Sequence, residues 1–347
     1  MRHVRVWVVG LGTVGRWVLD ALHGDSRSLA ARYGFVPTVV GVANARDGFV
    51  HDPAGLDLGA VLELSSKGRS LSELPGATRW STSIAGIAAT DADVLVEVSS
   101  SPGDGEPGFT HMREALRRGI AVATSNKWPV ALHGVELARL AREHRTAFRA
   151  ESTVMSGTPV LTALVDGLGG ASPLTLRGIV SATANFIASR MARDESYEDA
   201  LTAAQSQGLA ERDPAADVDG HDETAKAMIL AGLVFGTQLE LNAVPCRGIS
   251  QVRREDIRRA ARDGAVIRPV VVIESSRSSA DELAARVEPV ALDRDDPLAR
   301  VDGAANAVVC RAAPVGEVVV IGPGAGPELA GQGVLSDLIW AARHAAG

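Results

Sequence analysis

The sequence predicts an α/β protein, a doubly wound Rossmann-type nucleotide-binding domain followed by an α+β domain. Three observations carry this. A glycine-rich turn, Gly10 to Gly15, follows a short β-rich apolar run and opens a helix. Strand-like and helix-like segments alternate through the first third of the chain, the pattern of parallel βαβ units. The 347 residues exceed what one hydrophobic core usually supports, so two domains are expected.

In chain order, residues 4–9 (VRVWVV) read as a buried strand, ended by glycine. Residues 14–23 read as a helix, 36–43 as a second strand and 93–98 as a third; 110–118 read as helix and 120–123 as a short strand. Right-handed crossovers make a doubly wound sheet the simplest topology. Residues 135–149 form a charged amphipathic helix, after which the pattern changes. Strands are expected at 176–182, 268–274, 305–311 and 317–322, with helices at 186–193, 196–207, 221–236 and 252–263. The expected division is 1–134 plus 311–347 for the nucleotide domain and 135–310 for the second domain. An amphipathic helix over 334–346 is expected to pack back on the first.

Bulk properties exclude several function classes. Hydrophobic residues make up 46% and charged residues 22%, an ordinary globular balance. The net charge is −7 without a Lys/Arg cluster, which argues against a nucleic-acid partner. Cys246 and Cys310 are far apart and lack metal-site spacing, so neither a disulfide framework nor a zinc site is indicated, and a reducing cytoplasm is expected. The N-terminus runs straight into a strand with no signal peptide. No apolar run reaches about 18 residues, so no membrane span is expected.

Gly10, Gly12 and Gly15 make G-x-G-x-x-G in strand–turn–helix context. The first glycine permits the tight turn, the second lets the backbone approach a pyrophosphate, and the third lets helix and strand pack closely. The helix N-terminus offers N–H groups and a positive dipole end to the phosphates. Leu11, Thr13 and Val14 fill the rest of the turn. The second strand ends in VANAR, with Asn44 and Arg46 where an acid would bind the ribose hydroxyls of NAD. Arg46 suits a 2′-phosphate, so the reading leans slightly to NADP, with NAD also open and a plain surface charge as the alternative. Ser99 and Ser100 follow the strand 93–98 in the same crevice, either as cofactor contacts or as turn-capping serines.

The stretch GLAERDPAADVDGHDETAKAMILAG, which begins at Gly208, packs Glu211, Asp213, Asp217, Asp219, Asp222 and Glu223 into thirteen residues ahead of Lys226. Asp222 and Lys226 stand four apart on a predicted helix and share a face. Asp213-Pro214 and Gly220 suggest a defined loop before it. Spacing alone leaves two readings open: a solvated loop with a surface ion pair, or carboxylates and one amine converging on a substrate.

Taken together, GLGTVG (10–15), SNKWPVA (125–131), ESTVMSGTPV (151–160), TANFIASRM (183–191), GLAERDPAADVDGHDETAK (208–226) and GPGAG (322–326) resemble the homoserine dehydrogenase family over essentially the whole chain. The resemblance implies an NAD(P)-dependent oxidoreductase interconverting L-homoserine and L-aspartate 4-semialdehyde, in amino-acid biosynthesis toward threonine and methionine. It also implies a substrate and dimerisation domain with a mixed sheet, and a homodimer or homotetramer. No C-terminal regulatory domain is expected, because the chain stops soon after the closing helix. By resemblance, Lys226 is the proton donor/acceptor and Lys127, in the Asn126-Lys127 pair, polarises the substrate oxygen beside the nicotinamide. Thr183, Gly208, Glu211, Asp217 and Asp222 bind and orient substrate. Gly324 and Gly326 let the chain approach the cofactor, unless they are plain turn glycines. Glu151, Val154, Ser156 and Thr158 are implied to hold a structural sodium ion, mainly through main-chain carbonyls.

The pattern departs from the family in places. Ala182 stands where a Gly is usual, Ser181 replaces a common Asn, and Leu209 replaces an aromatic residue, often Tyr. These positions border the expected substrate pocket. A paralogue acting on another small amino-alcohol or amino-aldehyde is therefore the alternative enzyme. A non-catalytic dinucleotide sensor is a third reading, opposed by two lysines and an acidic trio that a sensor does not need.

Overall fold

The computed structural model describes residues 2–275 and 283–344. The chain divides into two compact units, Met1–Thr153 with Gly326–Gly347, and Val154–Ala325.

The first unit holds β1 (Arg2–Val9), α1 (Thr13–Gly24), α2 (Ser26–Tyr33), β2 (Phe35–Asn44), β3 (Gly48–His51), α3 (Leu58–Ser66), β4 (Thr78–Trp80), α4 (Ser83–Ala89), β5 (Val94–Glu97), α5 (Gly108–Arg117), β6 (Ala121–Thr124), α6 (Lys127–Glu143) and β7 (Phe148–Arg149). The sheet order is β4-β3-β2-β1-β5-β6-β7. From β2 through β7 the pairings are parallel, while β3 and β4 fold back antiparallel beyond β2 and make the sheet mixed. β1 is central and covered on both faces, which is why it reads as an unbroken apolar run. Val4, Val6 and Val8 pack with Val18, Leu19, Val334 and Leu338; Trp7 and Val9 pack with Phe109, Met112 and Leu137. Each such fully buried side chain contributes about 1.5–3 kcal/mol.

The units meet in the chain at 153/154 and 325/326, where the sequence suggested 134/135 and 310/311. Pairing explains the shift. The expected helix over 135–149 begins instead at Lys127 and ends at Glu143, and Phe148–Arg149 add a parallel strand beside β6. Residues 316–323 pair with the second sheet rather than returning to the first.

The second unit carries β8 (Ser172–Ile179), α8 (Ala182–Met191), α9 (Tyr197–Ser206), α10 (Ala215–Val218), α11 (His221–Val234), α12 (Arg254–Arg262), β9 (Ala265–Ser275), β10 (Leu283–Asp293), β11 (Ala305–Ala313) and β12 (Gly316–Pro323). One helical turn, α7 (Ser152–Met155), stands at the chain boundary. The sheet order is β10-β9-β8-β11-β12, with every strand pairing antiparallel and a single parallel bridge from Cys246 to Val287. β10 escaped the sequence reading because Pro289 and alternating charges demote it; as an edge strand it tolerates both. α11 is buried all round from Glu223 to Gly232 and supplies Met228, Ile229 and Leu230 to the core.

The closing helix, α13 (Pro327–His344), packs on α1; a Cβ at Gly331 would lie 2.2 Å from the Trp17 ring. Residues 345 and 346 of the expected helix lie outside the described residues. Asp337 on α13 is buried, accepting from Arg149 Nε at 3.2 Å and Glu151 N at 2.8 Å. Burial pushes its carboxyl up to about 7 against the pull of Arg149. Among the described residues, no helix is long and apolar enough to cross a membrane.

Candidate active site

In the first unit a cleft of about 920 Å³ opens at the carboxyl ends of β1, β2, β5 and β6, where the strand order reverses around β1. Ligands of doubly wound sheets bind at such a crevice. Gly10, Leu11, Gly12, Asn44, Arg46, Ser99, Ser100 and Lys127 line it.

The three glycines of the turn are required for different reasons. Gly10 has φ +109°, and a Cβ there would lie 2.5 Å from Ser99 N. A Cβ on Gly15 would lie 1.9 Å from Gly10 O. Both are demanded by strand–helix packing. Gly12 has nothing within 4 Å of its Cβ position and faces the cleft, so no protein atom explains its lack of a side chain. Thr13 and Val14 do not line the cleft; they form the first turn of α1 with Gly15, and Val14 packs against the core.

At the outer rim, Arg46 donates through Nη1 to Gly68 O at 2.6 Å and through Nη2 to Arg69 O. Asn44 Oδ1 accepts from the N–H groups of Arg46 and Asp47, and its Nδ2 donates to Asp47 Oδ2 at 2.8 Å. Asp47 is an acid close to the strand end, yet its side chain is only 3% exposed and is bound by Asn44, by Ser70 and, at 3.4 Å, by Arg46 Nη2. Desolvation raises its pKa, but the hydrogen bonds from Ser70 and Asn44 outweigh this and hold it below the usual carboxylate range. Arg16 and Arg69 also line the cleft, which sequence reasoning missed because neither lies in the turn motif. Ser99 directs its hydroxyl inward to the Glu97 carboxyl group, which leaves its main chain for any cofactor contact, while Ser100 is exposed. Lys127 is half-buried at the first position of α6.

In the second unit, Lys226 Nζ lies 2.7 Å from Asp222 Oδ2 and donates to Val180 O at 2.6 Å. The two side chains are only 9% and 12% exposed, so this is no solvated surface pair. The next residue, Glu223, is fully enclosed; burial, with Asp222 adjacent, pushes its carboxyl up to about 8. Thr183, the second residue of α8, donates to Leu209 O at 2.6 Å. Ser181, in place of the common Asn, caps α8 by accepting from Ala184 N at 3.1 Å, and Ala182 is buried next to it.

Gly208 has φ +70° and ends α9: its N–H donates to Gln205 O, and Leu209 N–H to Ala204 O. That paired pattern is a Schellman stop, so a helix end accounts for the glycine. Leu209 packs against the α8–α9 core. Asp217 is half-buried on α10, whereas Glu211 is exposed and its carbonyl accepts from Gln205 Nε2 at 3.1 Å.

A Cβ on Gly324 would lie 2.1 Å from the Asn306 side chain, so packing within the second unit accounts for this glycine. Gly326 has φ +136° and precedes α13. Glu151 and Val154 are buried. Ser156 takes φ +51° and donates to Gly324 O at 3.1 Å; Thr158 donates to Pro323 O at 2.9 Å. Among the described residues, no cluster of three or more His, Cys, Asp or Glu could hold a metal.

Comparison with known proteins decides the family. A family model described as homoserine dehydrogenase matches residues 159–339. The NAD(+)-dependent homoserine dehydrogenase of Pseudomonas canavaninivorans is 37% identical over 98% of this chain and 96% of its own. The chain belongs to the homoserine dehydrogenase family. The homoserine dehydrogenase of Methanocaldococcus jannaschii is 33% identical over 96% of each chain. Among solved structures, a putative homoserine dehydrogenase from Archaeoglobus fulgidus matches with a TM-score of 0.84 and 29% identity, covering 97% of this chain and 98% of that one. A hyperthermophilic archaeal homoserine dehydrogenase in complex with NADPH matches at 0.80 and 32%, covering 98% and 97%. The family match and these relatives, which cover nearly the whole chain, make it an NAD(P)-dependent oxidoreductase by family.

Proposed function

We propose that the chain interconverts L-homoserine and L-aspartate 4-semialdehyde with NAD(P), and that the buried Asp222–Lys226 pair performs the proton transfer. The observation that carries this is a lysine amine held by a carboxylate and a carbonyl in a nearly enclosed setting. NAD(P), when bound, supplies the hydride acceptor or donor. Lys226 takes the hydroxyl proton in the oxidising direction and returns it in the other. Asp222 fixes that amine. Lys127 polarises the substrate oxygen, Glu211 and Asp217 meet the substrate ammonium, and Thr183 with Gly208 shapes the loop that carries them. On the cofactor side, Gly12 and the α1 N-terminus receive the pyrophosphate.

Arg46, with Arg69 beside it on the rim, supports a lean to NADP, because Asp47 is committed to Ser70 and Asn44. A structural sodium ion at 151–158 is part of the same reading; α7 stops at the left-handed Ser156, a local geometry that offers main-chain carbonyls. A homodimer or homotetramer is supported by β12, an edge strand exposing Val319 at 40% and Ile321 at 59%. A cytoplasmic location follows from the biosynthetic role.

The deciding experiment mixes purified protein with L-homoserine and NAD+ or NADP+ and follows absorbance of the reduced cofactor. Protein that binds either nucleotide yet turns over neither pair rejects the reading. Leu209 favours one second reading, a related amino-alcohol as substrate: its side chain packs into the α8–α9 core and offers no hydroxyl. Faster turnover of a homologous amino-alcohol than of homoserine would select it.

A further inference from the structure

The cleft in the first unit has a polar floor that the mechanism above leaves unused. Glu97, the last residue of β5, is fully buried. Ser99 Oγ donates to its Oε1, and Asn126 Nδ2 donates to its Oε2 at 2.9 Å. His111 on α5 is 2% exposed; its Nδ1 lies 3.5 Å from Glu97 Oε1 and its Nε2 meets Ser83 Oγ at 2.6 Å. Side chains from α5 and the N-cap of α6 thus meet the buried carboxyl group at the end of β5, with Ser83 of α4 behind His111.

Enclosing such a group is unfavourable unless its oxygens are matched. Here the matching comes at the expense of a helix. Asn126 is the N-cap of α6, a position where an Asn side chain usually accepts from the first helical N–H groups. It makes no such cap. Its amide donates instead to Glu97 and to Ser101 Oγ, the latter at 2.8 Å. The main chain is tied to the same place: Asn126 N donates to Thr124 Oγ1 at 3.0 Å, and Thr124 Oγ1 donates to Glu97 O at 2.7 Å. The residue after Asn126 is Lys127.

We propose that Glu97 is a positioning residue for Lys127: its carboxyl group, acting through Asn126, holds the first turn of α6 so that the Lys127 amine is presented to the substrate oxygen. Ser99 Oγ, donating to Oε1, holds the other carboxyl oxygen. The proposal rests on the reading of Lys127 as a participant in the chemistry.

The chain has only three lysines, Lys67, Lys127 and Lys226, so carbon-13 dimethylation gives each amine its own NMR signal, assigned by Lys→Arg substitution. Glu97→Gln has one acceptor oxygen where Glu97 uses two. In it the Lys127 signal should move while those of Lys67 and Lys226 stay. In the homoserine assay kcat should fall about ten- to a hundredfold, the effect of misplacing a reacting group by about 1 Å. KM for homoserine and Kd for the nucleotide should remain near wild type. The reversed pair Glu97→Gln/Asn126→Asp, in which the new amide donates to the new carboxylate, should recover most of kcat. An unmoved Lys127 signal, or parallel loss of kcat, KM and Kd without rescue, overturns the proposal. Should Glu97→Gln not fold, Asn126→Ala is held to the same two readouts, signal and kcat. An inactive wild-type protein would sink the dehydrogenase reading alone, because the Lys127 signal reports the hold of Glu97 without turnover.

Discussion

Lys226 Nζ sits between Asp222 Oδ2 at 2.7 Å and the Val180 carbonyl at 2.6 Å, and the lysine is 7% exposed. An amine so placed has one carboxylate to hold it and little water to compete. Lys226→Ala should lower kcat by roughly a hundred- to ten-thousandfold, the usual worth of a positioned acid–base group. Nucleotide Kd, read by fluorescence quenching, should be unchanged. The variant should also melt earlier, since Asp222 loses the ammonium that faces it at 2.7 Å in a mostly enclosed setting. Near-normal turnover would remove Lys226 from the chemistry.

Gly12 and Gly15 should respond oppositely to the same added methyl group. Gly15→Ala drives a Cβ to 1.9 Å from Gly10 O, and should lose about 3 kcal/mol or more of stability. Gly12→Ala meets no protein atom within 4 Å, so its Tm should match wild type while nucleotide affinity drops roughly tenfold, about 1.4 kcal/mol. Equal nucleotide affinity in Gly12→Ala would place the pyrophosphate elsewhere.

Arg46 is the discriminating residue of the rim. Arg46→Ala should raise KM for NADP+ by roughly ten- to a hundredfold, the worth of a hydrogen bond to a charged group, and leave KM for NAD+ near wild type. A parallel rise for both nucleotides would mean that Arg46 merely supports the loop through Gly68 and Arg69.

Glu223 gives stability a pH dependence of predictable sign. Its carboxyl moves from an ordinary 4.5 to about 8 in the fold. Between those values the folded chain keeps a proton that the unfolded chain releases. The stability contributed by that proton is complete below 4.5 and is lost as pH rises through 8, with a slope of up to about 1.4 kcal/mol per pH unit. Glu223→Gln should flatten this part of the profile. Denaturant titrations of wild type and variant at successive pH values between those limits check it; identical slopes would refute the assignment.

The parts legible in the sequence are those whose physics is local. Gly10 and Gly15 announce themselves because a tight turn and a close helix leave room for nothing else, and Gly12 because it completes their spacing. Asp222 and Lys226 were placed on one face by helical spacing, though only the fold revealed that the face is buried. Long-range relations were not legible. Glu97 and His111 belong to different elements, and nothing in VEVSS says its acid faces inward to meet Asn126. Asp47 is visible as an acid, but its capture by Ser70, across α3, is not. β10 carries Pro289 and alternating charge, and its place in the sheet shows only through its pairing with β9.

The closing helix α13 completes the first unit from the far end of the chain. Val334 and Leu338 belong to the same core as Val4 and Val6. During synthesis the ribosome therefore releases most of the first unit well before its core can close, while the second unit, contiguous from Val154 to Ala325, emerges whole. The order of maturation is then the reverse of the order of translation: the nucleotide-binding half, made first, is finished last.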